Sequence, residues 1–319
     1  MKTTRQIEMA APINLLPVMA SVVFMNGCKH QIRGVEVKYI DCEDYRFCYL
    51  CRGKPGSQPS ILMLHEFLFN KDMWLKTIKF FPKDIHVVCI DMPAHGDATR
   101  LLLESYTALD QAKRIHQLVE RIGLNENPFH LVGISSGGMV AGVYAAQYPS
   151  EVHALSLLCP AGLRYSTDHG YIKYLKEQIQ FARACDNLSD FLTVDWEKDL
   201  HMITKADMQL LMKYGEEWRP HKFYFAKYFL DSTNMKSRYS LHDNMSQIKA
   251  PTQIIWGKND KVIDPSAAEL LANAIPDSQT HILEECGHFI ILERPKKSAE
   301  LLLEFYTSVC STTQNKKLP

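Results

Sequence analysis

Apolar residues occur along this chain in short runs that alternate with longer stretches of helical periodicity. Helical stretches such as Leu109–Ile122 and Met139–Gln147 separate most of the runs. This alternation predicts an α/β fold with a mostly parallel, eight-stranded sheet flanked by helices. The first two runs are joined by a polar turn and are expected to pair antiparallel. The predicted strands are Val35–Ile40, Tyr45–Arg52, Ile61–Leu64, His86–Ile90, Phe129–Val132, Val152–Leu158, Ile254–Trp256 and His281–Leu283.

The interval between Pro160 and Ala250 contains no run of strand type. Its segments have roughly helical spacing and are rich in aromatic residues, among them Tyr171, Tyr174 and Phe181. We predict a helical cap over about residues 162–247, inserted before the last two strands. A cap there would lie above the carboxyl edge of the sheet, where open α/β sheets bind ligands. Most of the aromatic side chains must form the core of the cap itself.

The N-terminal segment differs from the rest because Met9–Met25 carries no charged residue. It is slightly shorter than the roughly 20 apolar residues of a spanning helix, and Pro12 and Pro17 interrupt it. Three interpretations remain open: a removed signal peptide, a short signal anchor, or a segment in the membrane interface. We favour a retained membrane anchor in residues 1–30, followed by one globular domain over residues 31–319.

Composition excludes several classes of function. Lys plus Arg and Asp plus Glu both total 36, so no net charge would attract nucleic acid. The nine cysteines are spread along the chain and do not form the pattern of a small disulfide framework. Cys48 and Cys51 lie three apart in a predicted strand, so they face opposite sides and do not form half of a metal site. We expect no metal and no cofactor.

The clearest chemical motif is Gly133-Ile-Ser135-Ser-Gly137, which matches G-x-S-x-G. A predicted strand precedes it directly, and a predicted helix follows. This strand–turn–helix arrangement forms a sharp elbow that exposes the serine oxygen, and the flanking glycines leave room for its strained backbone. The elbow also puts the serine at a helix N-terminus, which favours developing negative charge. We predict that Ser135 is a nucleophile.

A serine nucleophile needs a histidine base and a carboxylate that orients the base. On sheets with this elbow, the acid and then the histidine follow the serine in the chain, each after a late strand. Asp260 follows the predicted strand Ile254–Trp256, and His288 follows His281–Leu283. We predict that Asp260 and His288 complete the triad, with Asp264 as a modest rival for the acid.

The oxyanion hole should be formed by two backbone N–H groups. The expected donors are Ser136, which follows the nucleophile, and Phe67, in the loop after Ile61–Leu64. Glu66 is unusual here, because a carboxylate that pointed inward would oppose the oxyanion. We therefore expect the Glu66 side chain to point away and activity to be reduced rather than lost.

Several long blocks of the sequence are more specific than the serine motif. The blocks are Ser60–His65, Lys71–Trp74, Pro128–Gly133, Val140–Ala146, Cys159–Leu163, Lys236–His242 and Pro251–Gly257. They resemble the monoacylglycerol lipases of the α/β-hydrolase superfamily, and the similarity runs from about residue 34 to the end of the chain.

The resemblance implies a membrane-anchored serine hydrolase of monoacylglycerols such as 2-arachidonoylglycerol. It carries the triad positions to Ser135, Asp260 and His288. It also implies a domain on the cytoplasmic face of a late endosomal, lysosomal or plasma membrane. The family's usual His-Gly-Phe is His-Glu-Phe here, and its Met after the nucleophile is Ser136.

Two other functions remain open from the sequence. A catalytically impaired protein could bind lipid or protein partners, and Glu66 is the feature that supports this alternative. A lysophospholipase or a general carboxylesterase would need the same triad and a similar apolar cap.

Overall fold

The structure is a computed structural model that describes residues 34–67, 69–101, 103–164 and 240–316. Between the last two ranges it also describes residues 224, 227, 228, 231 and 232. The proposed anchor in residues 1–30 and most of the proposed cap lie outside the described residues. Among those described, no helix combines the length and apolar composition needed to cross a bilayer.

Eight strands form one sheet in the described part of the chain. In chain order they are β1 (Val35–Cys42), β2 (Tyr45–Arg52), β3 (Ile61–Leu64), β4 (Val87–Ile90), β5 (Phe129–Ile134), β6 (Val152–Leu158), β7 (Thr252–Gly257) and β8 (Ser278–Leu283).

The order of strands across the sheet is β1-β2-β4-β3-β5-β6-β7-β8. Strand β2 pairs antiparallel with β1 and β4, and all other pairs are parallel. The central strands β3, β4 and β5 are buried along their whole length, as expected of parallel strands covered on both faces. The predicted fold class and the antiparallel first pair are both confirmed.

Helices follow most of the strands. They are α1 (Leu75–Ile78), α2 (Ala108–Arg121), α3 (Ser136–Gln147), α4 (Leu241–Asn244), α5 (Ala267–Ala274), α6 (Ile290–Glu293) and α7 (Pro295–Lys316). Short 3₁₀ turns cover Lys71–Trp74, Leu124–Glu126 and Met245–Gln247.

Helices α2 and α3 show why these sequences cover the sheet. Helix α2 is capped by Thr107, whose side chain accepts the N–H of Asp110, and the apolar residues of the helix form one buried stripe. Helix α3 is buried on nearly every side because it is made mainly of small and apolar residues. Helix α3 packs against β5, β6 and α2. These contacts hold its first turn next to the carboxyl ends of the strands.

The parallel arrangement places the chemically interesting residues at one edge of the sheet. Five of them lie within three residues of the carboxyl end of a strand: His65, Asp91, Ser135, Cys159 and Asp260. His288 lies five residues after the end of β8. Carboxyl ends of parallel strands meet at a common edge, so residues far apart in the sequence become neighbours there.

Candidate active site

Ser135 occupies a sharp turn between β5 and α3. Its φ is +52°, a conformation that side chains rarely adopt and that strained elbows require. The neighbouring glycines are needed for space: a Cβ on Gly133 would overlap the carbonyl of Gly137, and a Cβ on Gly137 would overlap that of His65. The Ser135 backbone is held by its N–H to Leu158 O, at 2.9 Å.

The structure brings the three predicted triad residues into one hydrogen-bonded chain. Ser135 Oγ lies 3.0 Å from His288 Nε2, and His288 Nδ1 lies 2.8 Å from Asp260 Oδ2. All three side chains are buried. The second Asp260 oxygen, Oδ1, accepts the N–H groups of Val262 and Ile263 at 2.8 and 3.0 Å. With the carboxylate oriented in this way, the neutral ring of His288 carries its proton on Nδ1, and Nε2 offers its lone pair to the serine hydroxyl.

The protonation of His288 depends on opposing effects. Burial alone would lower the pKa of His288, but the Asp260 carboxylate outweighs it, so the pKa lies well above its ordinary value. Asp264 Oδ1, by contrast, accepts the N–H of Ser266 at 2.8 Å, and it is Asp260 that faces His288 Nδ1.

Cys159 directly follows β6 and lies at the same edge of the sheet. Its Sγ donates to the backbone carbonyl of His288 at 3.3 Å, and its φ is +35°. Burial raises the pKa of the Cys159 thiol to about 12, so it stays protonated and serves as a donor. Cys159, Asp260 and His288 lie close enough to suggest a metal site. Both ring nitrogens of His288 already have partners in the Ser135–Asp260 chain, so a triad accounts for the group.

The predicted oxyanion donors, Phe67 and Ser136, lie in segments that adjoin this edge. Ser136 is the first residue of α3, whose first turn has backbone N–H groups without helical partners. Phe67 lies just after β3, where its ring stacks on Tyr228 with centroids 5.3 Å apart. The near-contact between Gly137 and the His65 carbonyl joins these two segments.

Glu66 does not point away as we expected from the sequence. Its side chain is only 3% exposed, and its Oε2 lies 3.4 Å from His288 Nε2. The carboxylate therefore faces the same ring nitrogen that bonds Ser135. The expectation was wrong because the loops after β3 and β8 meet at the same edge of the sheet. The Glu66 side chain in the first loop therefore reaches His288 in the second.

His65 is a neighbouring residue that sequence reasoning did not single out. Its Nε2 accepts the N–H of Met92 at 2.8 Å, so its Nδ1 carries the proton and donates to the Glu66 carbonyl at 2.6 Å. Burial lowers the pKa of His65 to about 3, which keeps the ring neutral. His65 thus fixes the backbone that carries Glu66 and Phe67. A histidine directly after a buried strand was the available signal.

A buried ion pair, also missed from the sequence, fixes the loops after β3 and β4. Asp91 accepts the backbone N–H and the ammonium of Lys71, both at 2.8 Å, and the N–H of Asp97 at 2.9 Å. Burial alone would lower the pKa of Lys71, but the Asp91 carboxylate outweighs it and the pKa lies above its ordinary value. Asp91, Asp97 and Cys48 have the spacing of metal ligands, yet the Lys71 ammonium already supplies the cation there.

Comparison with known proteins agrees with this geometry. Residues 59–295 match the model of the alpha/beta hydrolase fold family. The monoacylglycerol lipase ABHD6 of Bos taurus is 50% identical over 291 residues, which cover 89% of this chain and 86% of that protein. The chain belongs to the α/β-hydrolase family and, within it, to the ABHD6 group.

Solved structures of other α/β-hydrolases share the architecture. A membrane phospholipase A, described as a bacterial virulence factor, superposes with a TM-score of 0.74 at 27% identity, over 92% of this chain and 96% of its own. Naproxen esterase from Bacillus subtilis gives a TM-score of 0.62 at 17% identity, over 91% and 97%, and shows the fold alone. The resemblance indicated by the sequence blocks is confirmed.

Proposed function

We propose that this α/β-hydrolase cleaves the ester bond of monoacylglycerols to a free fatty acid and glycerol through an acyl-enzyme on Ser135. The observation that carries the proposal is the buried chain from Ser135 Oγ through His288 to Asp260, at 3.0 and 2.8 Å. The substrate class is taken from the ABHD6 relatives, whose sequences cover nearly the whole chain at up to 50% identity.

The chemistry follows from the atoms that face one another. Ser135 Oγ attacks the ester carbonyl carbon while its proton passes to His288 Nε2, and Asp260 stabilises the imidazolium. The carbonyl electrons form an oxyanion, which we assign to the N–H groups of Phe67 and Ser136. When the carbonyl reforms, the glycerol oxygen leaves and takes the proton from Nε2. Water then attacks the acyl-serine in the same way and releases the fatty acid.

We assign no metal and no cofactor to this reaction, because proton transfer and the backbone donors are sufficient for acyl transfer.

We also propose that residues 1–30 hold the domain at a membrane surface, where its lipid ester substrate is found. From the family resemblance, the domain would face the cytoplasm on a late endosomal, lysosomal or plasma membrane. The equal numbers of acidic and basic residues give no reason to expect nucleic acid as a partner.

A fluorophosphonate probe tests the nucleophile. We expect the full chain to be labelled, Ser135→Ala to lose the label, and Ser311→Ala, which changes an exposed serine on α7, to keep it. Labelling that persists in Ser135→Ala would assign the nucleophile elsewhere. The absence of labelling in the wild type would support a binding protein without catalysis.

A substrate panel tests the class of ester. We expect turnover of 2-arachidonoylglycerol and other monoacylglycerols at higher kcat/KM than of lysophosphatidylcholine or a simple carboxylic ester. A clear preference for the lysophospholipid would replace the proposed substrate class and leave the assignment of Ser135 intact.

A further inference from the structure

Two oxygen atoms from distant parts of the chain face the Nε2 atom of His288. Ser135 Oγ lies 3.0 Å away, and Glu66 Oε2 lies 3.4 Å away. The side chains of His288 and Glu66 are only 2% and 3% exposed, so water screens their interaction weakly. A third oxygen, Asp260 Oδ2, faces the opposite ring nitrogen at 2.8 Å. The imidazole therefore lies between two carboxyl groups.

The two protonation states of His288 interact differently with this arrangement. In the neutral ring, Nδ1 donates to Asp260 and Nε2 presents a lone pair, which accepts the Ser135 hydroxyl but repels an ionised Glu66. In the protonated ring, both nitrogens carry N–H groups and each can donate to a carboxylate. An ionised Glu66 thus favours the protonated ring.

We propose that Glu66 is a positioning residue that pairs with the protonated imidazole of His288 and thereby raises the lower pH limit of turnover. The inference rests on the proposed roles of Ser135 and His288. In the protonated state, Nε2 has no lone pair to receive the Ser135 proton, so neither acylation nor deacylation can begin. As the pH rises, His288 loses the Nε2 proton and the Ser135–His288 pair becomes competent.

Glu66 is the ionisable group near His288 whose charge can best be removed by mutation to test this role. Asp260 orients the ring and cannot be changed without disturbing the triad. Cys159, which donates to the His288 carbonyl, is a neutral thiol. His65 is neutral, and on α6 Glu293 accepts the N–H of Gly287 at 2.9 Å. Lys71 is paired with Asp91 and Asp97 farther along the loop after β3.

The rate of fluorophosphonate labelling of Ser135 should be measured from pH 5 to 9.5, together with kcat/KM for a water-soluble p-nitrophenyl ester. Both report the pKa of the base in the free enzyme. Because an opposite charge within a few ångströms moves a pKa by about 1–3 units, we expect Glu66→Gln to shift the acidic limb down by about that amount. The control, Glu284→Gln, removes the same charge from an exposed partner of Lys258 and should leave the limb unchanged.

A second variant separates the charge from the side chain. Glu66→Gly removes both and should shift the acidic limb in the same direction as Glu66→Gln. Thermal unfolding verifies that each variant is folded. An unchanged limb in both folded variants, an equal shift in Glu284→Gln, or folded variants that no longer label at any pH would each overturn the proposal.

The labelling assay does not use a monoacylglycerol, so it can support the role of Glu66 even if the proposed substrate class is wrong. Conversely, normal monoacylglycerol turnover with no shift in the variants would overturn only the role of Glu66. Persistent labelling of Ser135→Ala would contradict the triad assignment itself and, with it, this inference.

Discussion

At the scale of single residues, the direction of the Asp260 carboxylate decides which nitrogen of His288 can act as a base. One oxygen faces Nδ1 at 2.8 Å, and the other is held by the N–H groups of Val262 and Ile263. Because both oxygens are occupied, the carboxylate cannot rotate without losing hydrogen bonds in a buried site. The proton of neutral His288 is therefore kept on Nδ1, and the lone pair on Nε2 faces Ser135.

Replacing Asp260 by Asn tests this assignment. The amide can donate to Nδ1, which would move the histidine proton to Nε2 and leave no lone pair for Ser135. We expect kcat for a soluble ester to fall about 10⁴-fold, with little loss of stability. Asp264→Asn is the matched control, because the Asp264 side chain accepts the N–H of Ser266, whereas it is Asp260 that faces His288 Nδ1. A large loss in Asp264→Asn with an active Asp260→Asn would reverse the assignment.

The sequence predicted the backbone positions of the site residues better than the directions of their side chains. Ser135, Asp260 and His288 could be selected because each follows a strand, and parallel strand ends meet in space. Glu66 could be placed in the right loop, but its direction depends on His288, 222 positions later in the chain. The same limit concealed His65, whose two ring nitrogens hold backbone groups of separate loops.

At the scale of elements, strand bounds were predicted best where an apolar or aromatic residue begins the strand. The bounds of β2, β3 and β6 agree with the prediction. Strands β7 and β8 are longer than predicted because they begin with polar residues, Thr252-Gln253 and Ser278-Gln279-Thr280. In β7 these residues are buried, and Gln253 donates to the carbonyl of Leu301 on α7 at 3.0 Å. Hydrophobicity alone does not detect such strand starts.

The loops at the active edge depend on one another through the Lys71–Asp91 pair. The ammonium and carboxylate are 2% and 0% exposed and lie 2.8 Å apart. Lys71→Met would leave Asp91 buried without its counter-charge, so we expect a loss of about 3–5 kcal/mol in the free energy of unfolding. Urea denaturation followed by circular dichroism gives this value.

Lys258→Met provides the control for that measurement. Lys258 pairs with Glu284 at 2.8 Å, but both side chains are more than half exposed, and such a pair contributes about 0–1 kcal/mol. Similar losses in the two variants would contradict a special role for the buried pair. Retained activity at low temperature in Lys71→Met would show that it supports the loops without taking part in the chemistry.

At the scale of the whole molecule, the chain has no net charge that could steer it towards a substrate or a surface. Neutral lipid esters collect in membranes, so the local concentration of substrate depends on where the protein is held. The uncharged segment Met9–Met25 is the part of the sequence suited to that task, while the described sheet and helices carry the site. Activity on soluble and on membrane-bound esters should therefore depend on different parts of the chain.

The last prediction separates these parts. Replacing Met9–Met25 by a Gly/Ser linker of equal length should leave kcat/KM for a soluble ester within about twofold, because the linker has no apolar face to bury and the triad is untouched. The variant should move from the membrane pellet to the supernatant and hydrolyse monoacylglycerol in vesicles more slowly. If the wild type resists an alkaline wash, the segment spans the bilayer; if the wash releases it, the segment lies in the interface. A linker variant that stays with the membrane would contradict anchoring by this segment and direct attention to the cap.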